Sequence, residues 1–290
     1  MKLLLKFNLI LVALILIGLA VVSRIAHSFL IDNARAQVLQ QAELMMESAS
    51  SMRKYTSEEL KPLLVENPHN QTTFLPQTVP AYAATVTFAR LRQKFPEYTY
   101  KEATLNPTNL QDRAVDWESD VIEQFRNNPE QKELTGERST PTGMSLFLAH
   151  PITAEQSCLE CHSVPSAAPQ TMLEKYGSAN GFGWKLHDVV AAQIISVPTA
   201  IPLNIATKAF TTLMWSLTGA FAAILLAVNL TLYFIIIRPV RKLSHVSDQI
   251  SLGQAEAVEI PVRGNDEIAE LTRACNRLFV TVAKALRMLG

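Results

Sequence analysis

The chain has 290 residues, enough for one or two domains, and 48% of them are hydrophobic while only 18% are charged. This apolar excess is high for a purely soluble protein and predicts segments that lie in a membrane. The formal net charge is zero, so the sequence lacks the basic excess of nucleic-acid-binding proteins, and no nucleic-acid partner is expected.

Two apolar runs each supply the roughly 20 helical residues that cross a hydrocarbon core of about 30 Å. They are Leu3–Val22 and the uncharged run Phe210–Ile237. An uncleaved anchor is favoured over a signal peptide for the first run, because its apolar core is long and the cleavage-like sequence Ala34–Ala36 lies well beyond it. The sequence therefore predicts transmembrane helices at 1–23 and 210–237.

Basic residues indicate the orientation of these spans. Before the first span and after the second lie Lys2, Lys6, Arg238, Arg241 and Lys242, whereas the flanks between the spans carry only Arg24 and Lys208. Because cytoplasmic flanks carry the excess of Lys and Arg, both termini are predicted to be cytoplasmic. Residues 24–209 are then periplasmic, in a protein of the bacterial cytoplasmic (inner) membrane.

Helical and strand patterns alternate between the spans. Residues 24 to about 66 favour a long helix with an apolar seam at Val38, Ala42, Met45, Ala49 and Met52. The later elements follow in chain order: a helix at Tyr82–Phe95, a strand at Tyr98–Leu105, a turn at Asn106–Asn109, a helix at Asp116–Asn127, a turn at Gly136–Arg138, a strand from Gly143 to Pro151 and a last strand at Val189–Val197. This pattern predicts a small α+β domain with a few antiparallel strands.

The residues Cys158-Leu159-Glu160-Cys161-His162 have the spacing that attaches c-type haem covalently. Cys158 and Cys161 would form thioethers, and His162 would bind the iron from one face. A reduced redox pair and half of a zinc site are the alternatives. A second Cys pair and a βαβ context, which these alternatives need, are both missing from the sequence. Bacterial c-type haem is attached outside the cytoplasmic membrane, which agrees with the predicted periplasmic position. The motif therefore predicts one covalently attached haem c.

The segment Tyr176–Trp184 is rich in glycine and aromatic residues. We expect a loop there that lets the backbone approach a flat ligand closely.

Helical seams also organise the residues after the second span. A first helix carries Pro239, Leu243, Val246 and Ile250 in heptad register and ends at Gly253. A connector with Val258, Ile260 and Val262 leads to a second helix, capped by Asn265 or Asp266. Its seam consists of Ile268, Leu271, Cys275, Leu278, Val282, Ala285 and Leu289. Two such chains would associate as a parallel coiled-coil homodimer.

Two families resemble these segments. Residues 238–290 resemble a HAMP domain, the signal-relay module of bacterial sensor kinases and chemoreceptors, in the proline-led first helix and in Asp266-Glu267. Residues from about 30 to 205 resemble a periplasmic PAS-like domain that binds one c-type haem, first described from cyanobacteria. The matching text is Met52–Thr56, Val79–Ala83, Leu105–Asn109, Asp116–Glu118, Cys158–Ser163, Tyr176–Trp184 and Ile194–Pro198. The resemblance implies an α+β, PAS-like periplasmic domain between two transmembrane helices, followed by an all-α HAMP coiled coil.

The second face of the iron has several candidate ligands. Cys275 is excluded because it lies on the cytoplasmic seam. The resemblance places the first long helix across the haem and favours Met52, with His150 next and a vacant site open to a gas third. The remaining candidates are Met45, Met144 and His187. Three cations are candidates to pair with the haem propionates: Arg53, Lys101 and Arg138.

These features predict a homodimeric membrane sensor that detects redox state or a small haem ligand and relays it through HAMP. The alternative is a membrane-anchored monohaem cytochrome that passes electrons to a periplasmic partner. No constellation of catalytic acid, base or nucleophile stands out, so an enzyme is not expected. No kinase or methyl-accepting region follows the seams, so we expect a cytoplasmic output partner or a longer chain to read the signal.

Overall fold

The computed structural model describes residues 3–67, 72–141, 143–252, 259–262 and 264–289. It divides into two compact units: Met1–Ser23 with Thr212–Gly290, and Arg24–Thr211. The second of these contains the sheet and the Cys-x-x-Cys-His motif.

The first long helix, α1, covers Leu3–Tyr55. A π-helical turn at Thr56–Leu60 and the short helix α2, Lys61–Val65, follow it. Pro62 lies in α2 just after this π-helical turn, and because it has no N–H to donate, the α-helical hydrogen bonding is interrupted here. The prediction of a helix from residue 24 to about 66 is confirmed.

A four-stranded antiparallel sheet forms the centre of the unit Arg24–Thr211, in the order β1-β4-β3-β2. Its strands are β1 (Thr99–Thr104), β2 (Leu134–Thr140), β3 (Gly143–Thr153) and β4 (Val189–Pro198). The predicted turn at Gly136–Arg138 is wrong, since these residues lie inside β2. A Cβ at position 136 would meet the Phe147 ring, so the glycine allows a side chain of the neighbouring strand to cross it.

Helices cover both faces of the sheet. On one face α1 buries Val38, Ala42 and Met46 against β3 and β4. On the other face α4, Asp116–Asn127, buries Val121, Ile122 and Phe125. Because successive strand residues point to opposite faces, consecutive residues of β1 contact different helices.

Helix α3, Pro80–Arg92, packs beside β1 on the α1 side. The rings of Phe88 and Tyr100 stack with their centroids 4.8 Å apart. Two further short helices are α5, Gln156–His162, which carries the Cys-x-x-Cys-His motif, and α6, Gln170–Tyr176.

Helix α7 covers Ala200–Thr231 and continues through a π-helical turn, Leu232–Ile237, into α8, Arg238–Ser251. By length and composition, α1 and the helix that begins at Ala200 are suited to cross a membrane. In the unit that holds both spans, the side-chain amides of Asn8 and Asn229 exchange hydrogen bonds of 2.7 Å. Amide pairs of this kind hold helices together in an apolar medium.

The last helix, α9, covers Glu267–Leu289. As predicted, Asp266 caps it, because its Oδ1 accepts from the Ala269 N–H at 2.8 Å. The Asn276 amide bonds both backbone groups of Ile260, at 3.0 and 2.8 Å. The predicted connector residue Val258 and the predicted helix end Gly253 lie outside the described residues.

The residues that α9 buries differ from its predicted seam. Ala269, Thr272, Asn276 and Phe279 are buried within the chain. The seam residues Leu271 and Leu278 remain 46% and 61% exposed. One chain therefore leaves Leu271 and Leu278 of this seam open, while Cys275 packs against the buried cluster with Phe279. The side chains of the seam residues Ala285 and Leu289 lie outside the described part of the chain.

Candidate functional site

The motif helix α5 begins just after β3 and presents Cys158 and Cys161 one turn apart. Residues three apart lie on the same side of a helix, so both thiols lie on one side of α5. They are half-buried and not joined to each other. Lys61 of α2 lies 3.6 Å from the Glu160 carboxylate, which ties the motif to the end of the first long helix.

His162 ends α5 and lies in a cradle built from two distant loops. Its Nδ1 lies 2.7 Å from the carbonyl oxygen of Gly181 and 3.5 Å from the Thr108 hydroxyl. The Trp184 ring stacks on the imidazole, with centroids 4.1 Å apart and planes inclined by 16°. Contacts with Gly181, Thr108 and Trp184 thus fix the orientation of the His162 imidazole.

The hydrogen bond to Gly181 determines the tautomer of His162. A carbonyl oxygen only accepts, so Nδ1 carries the proton and Nε2 keeps its lone pair. Burial lowers the pKa of His162, with the Gly181 hydrogen bond partly opposing this. The imidazole is therefore neutral near pH 7 and offers Nε2 as a ligand atom.

The glycine-rich loop 176–184 lies close to Thr108 and to the end of α5. Gly181 has φ +85°, and a Cβ there would lie 3.0 Å from the Thr108 Cα and closer still to its hydroxyl. The Gly183 N–H donates to the Ser163 carbonyl at 2.9 Å, and the Trp184 N–H donates to the His162 carbonyl at 3.2 Å. Glycine at 181 thus lets the loop reach His162.

The turn that begins at Asn106 supports the same loop. The Asn106 Oδ1 accepts from the Gly181 N–H at 3.2 Å, and its Nδ2 donates to the Phe182 carbonyl at 3.4 Å. The sequence indicates both the turn and the loop. It does not predict their contact with each other and with His162, because they lie far apart in the chain.

Arg53 lies at the end of α1 and forms an ion pair with the buried carboxylate of Glu102 on β1. The Tyr100 hydroxyl donates to the same carboxylate at 2.6 Å, and Gln193 donates to Tyr100 at 3.0 Å. Burial alone would lower the pKa of Arg53, but Glu102, with smaller contributions from Tyr100 and Cys158, raises it. Burial and then Glu102 raise the pKa of Tyr100. Arg53 is thus a fixed positive charge near the motif.

Lys101 and Arg138 lie on the opposite face of the sheet from Arg53. Lys101 precedes Glu102 in β1, so its side chain points the other way, where its Nζ lies 2.6 Å from the Glu118 carboxylate. The Arg138 guanidinium lies over the Trp117 ring, 4.0 Å from its centroid. The three predicted propionate partners are therefore not brought together.

The candidates for the second iron ligand lie in different surroundings. Met52 is half-buried on α1, one turn after the buried Ala49 and one turn before the buried Thr56 of the π-helical turn. His150 Nε2 lies 3.3 Å from the Glu133 carboxylate. The other three are Met45, packed against two core clusters, and Met144 and His187, both exposed.

The zinc alternative needs about four protein ligands. Within the part of the chain that the structure describes, no group of three His, Cys, Asp or Glu side chains is placed to hold a metal ion. The donor set at the motif is two thiols and one oriented imidazole, which fits a covalently attached haem.

Comparison with known proteins gives two family matches. The model of the Tll0287-like family matches residues 31–198, and the model of the HAMP domain matches residues 232–281. A crystal structure of the cyanobacterial haem protein Tll0287 is similar at 17% identity and a TM-score of 0.43, over 55% of this chain and 94% of that one. None of the curated proteins matches the chain.

Proposed function

This chain belongs to the Tll0287-like family, and from that premise we propose that it is a membrane-bound, haem-based sensor that relays its signal through a HAMP domain. The proposal places residues 24–209 in the periplasm, residues 1–23 and 210–237 in the inner membrane, and residues 238–290 in the cytoplasm. The two apolar helices and the basic flanks of the spans support it. The role is proposed to be non-enzymatic.

One haem c is proposed to be attached through Cys158 and Cys161, with His162 as an iron ligand. The observation that carries this assignment is the 2.7 Å hydrogen bond between His162 Nδ1 and the Gly181 carbonyl, which leaves Nε2 for the iron. When bound, the haem supplies an iron whose oxidation state or exogenous ligand can change. Thr108 and Trp184 hold the imidazole in place while this occurs.

Attachment is tested by haem staining of the full-length protein on denaturing gels. Cys158→Ser and Cys161→Ser should each weaken or abolish the covalent signal. Cys275→Ser is the matched control, because Cys275 lies on α9 and not in the motif, and it should stain as the wild type does. Full staining of a Cys158→Ser, Cys161→Ser double variant would refute covalent attachment at this motif.

Met52 is proposed as the second iron ligand and Arg53 as a propionate partner. Both lie in the last turn of α1, and Arg53 is close enough to Cys158 for their electrostatic interaction to affect its pKa. Met52→Ala should change the visible spectrum and the reduction potential of the loaded protein. Met45→Ala, two helical turns earlier on the same stripe, is the control and should leave the spectrum unchanged.

The signal is proposed to start at the Arg53–Glu102 pair, which joins α1 to the sheet next to the motif. A change of charge at the motif alters the balance of forces on this pair, because Arg53 is held in a largely buried position. The open seam of α9 is proposed to pair with a second copy in a homodimer, where Leu271 and Leu278 would be buried. A cytoplasmic partner then reads the packing of this coiled coil.

Disulfide crosslinking distinguishes the sensor from an electron carrier. In a Cys275→Ser background, Leu271→Cys and Leu278→Cys report the distance between the two α9 helices in native membranes. Haem reduction should change the crosslinking yield of at least one of them. If neither yield changes while the haem still exchanges electrons with a periplasmic donor, the electron-carrier function replaces the sensor function.

A further inference from the structure

A cavity of about 350 Å³ surrounds the outer edge of β1. Its aromatic wall consists of Phe88, Tyr100 and Trp117, and none of the motif residues is among the described residues that line it. Cavities of this size, lined by aromatic side chains and a few converging polar groups, are typical of small-molecule sites.

The charges that line this cavity are unevenly paired. Lys101 and Glu118 neutralise each other at 2.6 Å. The Arg138 guanidinium lies over the Trp117 ring, 4.0 Å from its centroid, and no carboxylate in the described residues lies within ion-pair distance of it. A guanidinium held by an aromatic face keeps its N–H edge available for a planar anion. Arg92 adds a second positive charge to the lining.

We propose that this cavity binds a small aromatic carboxylate. Arg138 holds the carboxylate in a bidentate contact on the α4 side of β1. The aromatic body lies along the outer edge of this strand, between Trp117 on that side and Phe88 and Tyr100 on the α1 side. The site is separate from the haem-attachment motif and does not depend on it. Its wall is nevertheless connected to α1, since the Tyr100 hydroxyl donates to Glu102, the ion-pair partner of Arg53.

Asp112 makes this binding depend on pH. Its carboxyl lines the cavity, and burial together with repulsion from Glu102 raises its pKa to about 6, while Lys101 opposes the rise. Tyr176 of α6 also interacts with it. The other charged side chains that line the cavity are Arg92, Arg138 and Glu118. Protonation of Asp112 therefore removes a negative charge that opposes the ligand, and anion affinity rises as the pH falls through about 6.

Isothermal titration of the full-length protein in detergent with benzoate and with benzamide tests the proposal. Benzoate should bind saturably, and the neutral benzamide, which has the same shape, should bind about tenfold more weakly or worse, because it loses the charge-assisted hydrogen bonds. Arg138→Gln should weaken benzoate by a similar factor. Asp112→Asn should strengthen benzoate at pH 7 and remove most of the pH dependence between about pH 5 and 7.

Arg90→Gln is the matched control, because Arg90 is exposed on the neighbouring helix α3 and does not line the cavity. Equal affinities for benzoate and benzamide would overturn the proposal, as would equal losses in Arg138→Gln and Arg90→Gln or no saturable binding up to the solubility limit. Circular dichroism checks that each variant folds. The Cys158→Ser, Cys161→Ser variant should still bind benzoate, so failure of haem attachment and failure of this site are distinguishable.

Discussion

Gly181 is the residue on which the His162 cradle depends most directly. Substitution by alanine forces a side chain into the left-handed region at φ +85°, which costs about 1–2 kcal/mol. The new Cβ would lie 3.0 Å from the Thr108 Cα, and this overpacking adds about 1–3 kcal/mol. Gly181→Ala should therefore lower the free energy of unfolding by about 2–5 kcal/mol.

Gly183→Ala separates the two costs. Gly183 lies in the same loop with φ +86°, and among the described residues no atom lies within 4 Å of the position that its Cβ would take, so alanine there meets the backbone cost alone. Any gain from reducing the freedom of the unfolded chain applies equally to both variants and cancels in the comparison. Gly181→Ala should thus be less stable than Gly183→Ala by about 1–3 kcal/mol.

Urea unfolding of the full-length protein, followed by tryptophan fluorescence, measures the difference, because Trp184 stacks on His162 and reports the cradle. Adding Thr108→Ala to Gly181→Ala should recover part of the loss, since it removes the hydroxyl that the Cβ would strike. Equal midpoints for Gly181→Ala and Gly183→Ala would refute the close approach of this loop to Thr108.

Three further predictions concern buried polar groups. Glu102→Gln should cost about 3 kcal/mol of unfolding free energy in urea titrations, because it leaves Arg53 largely buried without its anion, whereas Arg53→Met with Glu102→Leu should cost less. Asp112 has a pKa of about 6, above its ordinary value of 3.8, so the folded state binds the extra proton. Stability of the wild type relative to Asp112→Asn should therefore fall as the pH rises from about 4 to about 6, measured by thermal unfolding. Asn276→Ala should leave both backbone groups of Ile260 without their hydrogen bonds and lower the free energy of unfolding by about 1–3 kcal/mol. In circular dichroism, a smaller part of the total helix signal should then be lost in the cooperative unfolding transition.

The elements that are predicted well have strong local signals. Asp116–Asn127 has acidic residues in its first turn and one apolar face, and the helix has those bounds. The strand that begins at Val189 is β-branched and buried along almost its whole length. In both segments the local pattern and the tertiary environment favour the same structure.

The strand β2 is not predicted because its glycine and polar residues are also typical of a turn. Leu134–Thr140 is mostly polar, as suits a strand at the sheet edge. Its glycine, Gly136, avoids a clash with the Phe147 ring on the neighbouring strand. A glycine that serves close packing looks the same in sequence as one that serves a turn.

The sequence predicts only the part of the candidate site that comes from residues close together in the chain. The thiols and His162 follow from five consecutive residues, whereas the cradle joins Thr108 and Gly181, which lie far apart in the chain. The same limit applies to Lys101 and Arg53. Grouping them as propionate partners ignores the alternation of β1, which sends Lys101 and Glu102 to opposite faces.

This alternation gives β1 a mechanical role that links the two proposals. Glu102 contacts Arg53 on one face, where Tyr100 also lines the cavity, and Lys101 lines the cavity from the other face. Pairing with β4 holds the backbone from Thr99 to Thr104 as one unit, so a displacement of the strand moves the side chains on both faces together. Benzoate in the cavity should therefore change the reduction potential of the loaded protein, and by reciprocity reduction should change the affinity for benzoate by the matching factor.

Spectroelectrochemical titration with and without saturating benzoate measures this coupling. Glu102→Gln should weaken the coupling while benzoate still binds, because Glu102 does not line the cavity. Both proteins are compared at about pH 8, where Asp112 is ionised with or without the repulsion from Glu102. A direct electrostatic effect of the bound anion would survive that substitution, so a benzoate-induced shift of the same size in wild type and Glu102→Gln would show that β1 does not carry the coupling. Loss of the shift in the variant would assign the coupling to the Tyr100–Glu102–Arg53 chain and not to the apolar packing of Phe88 and Tyr100 against α1, which the substitution leaves in place.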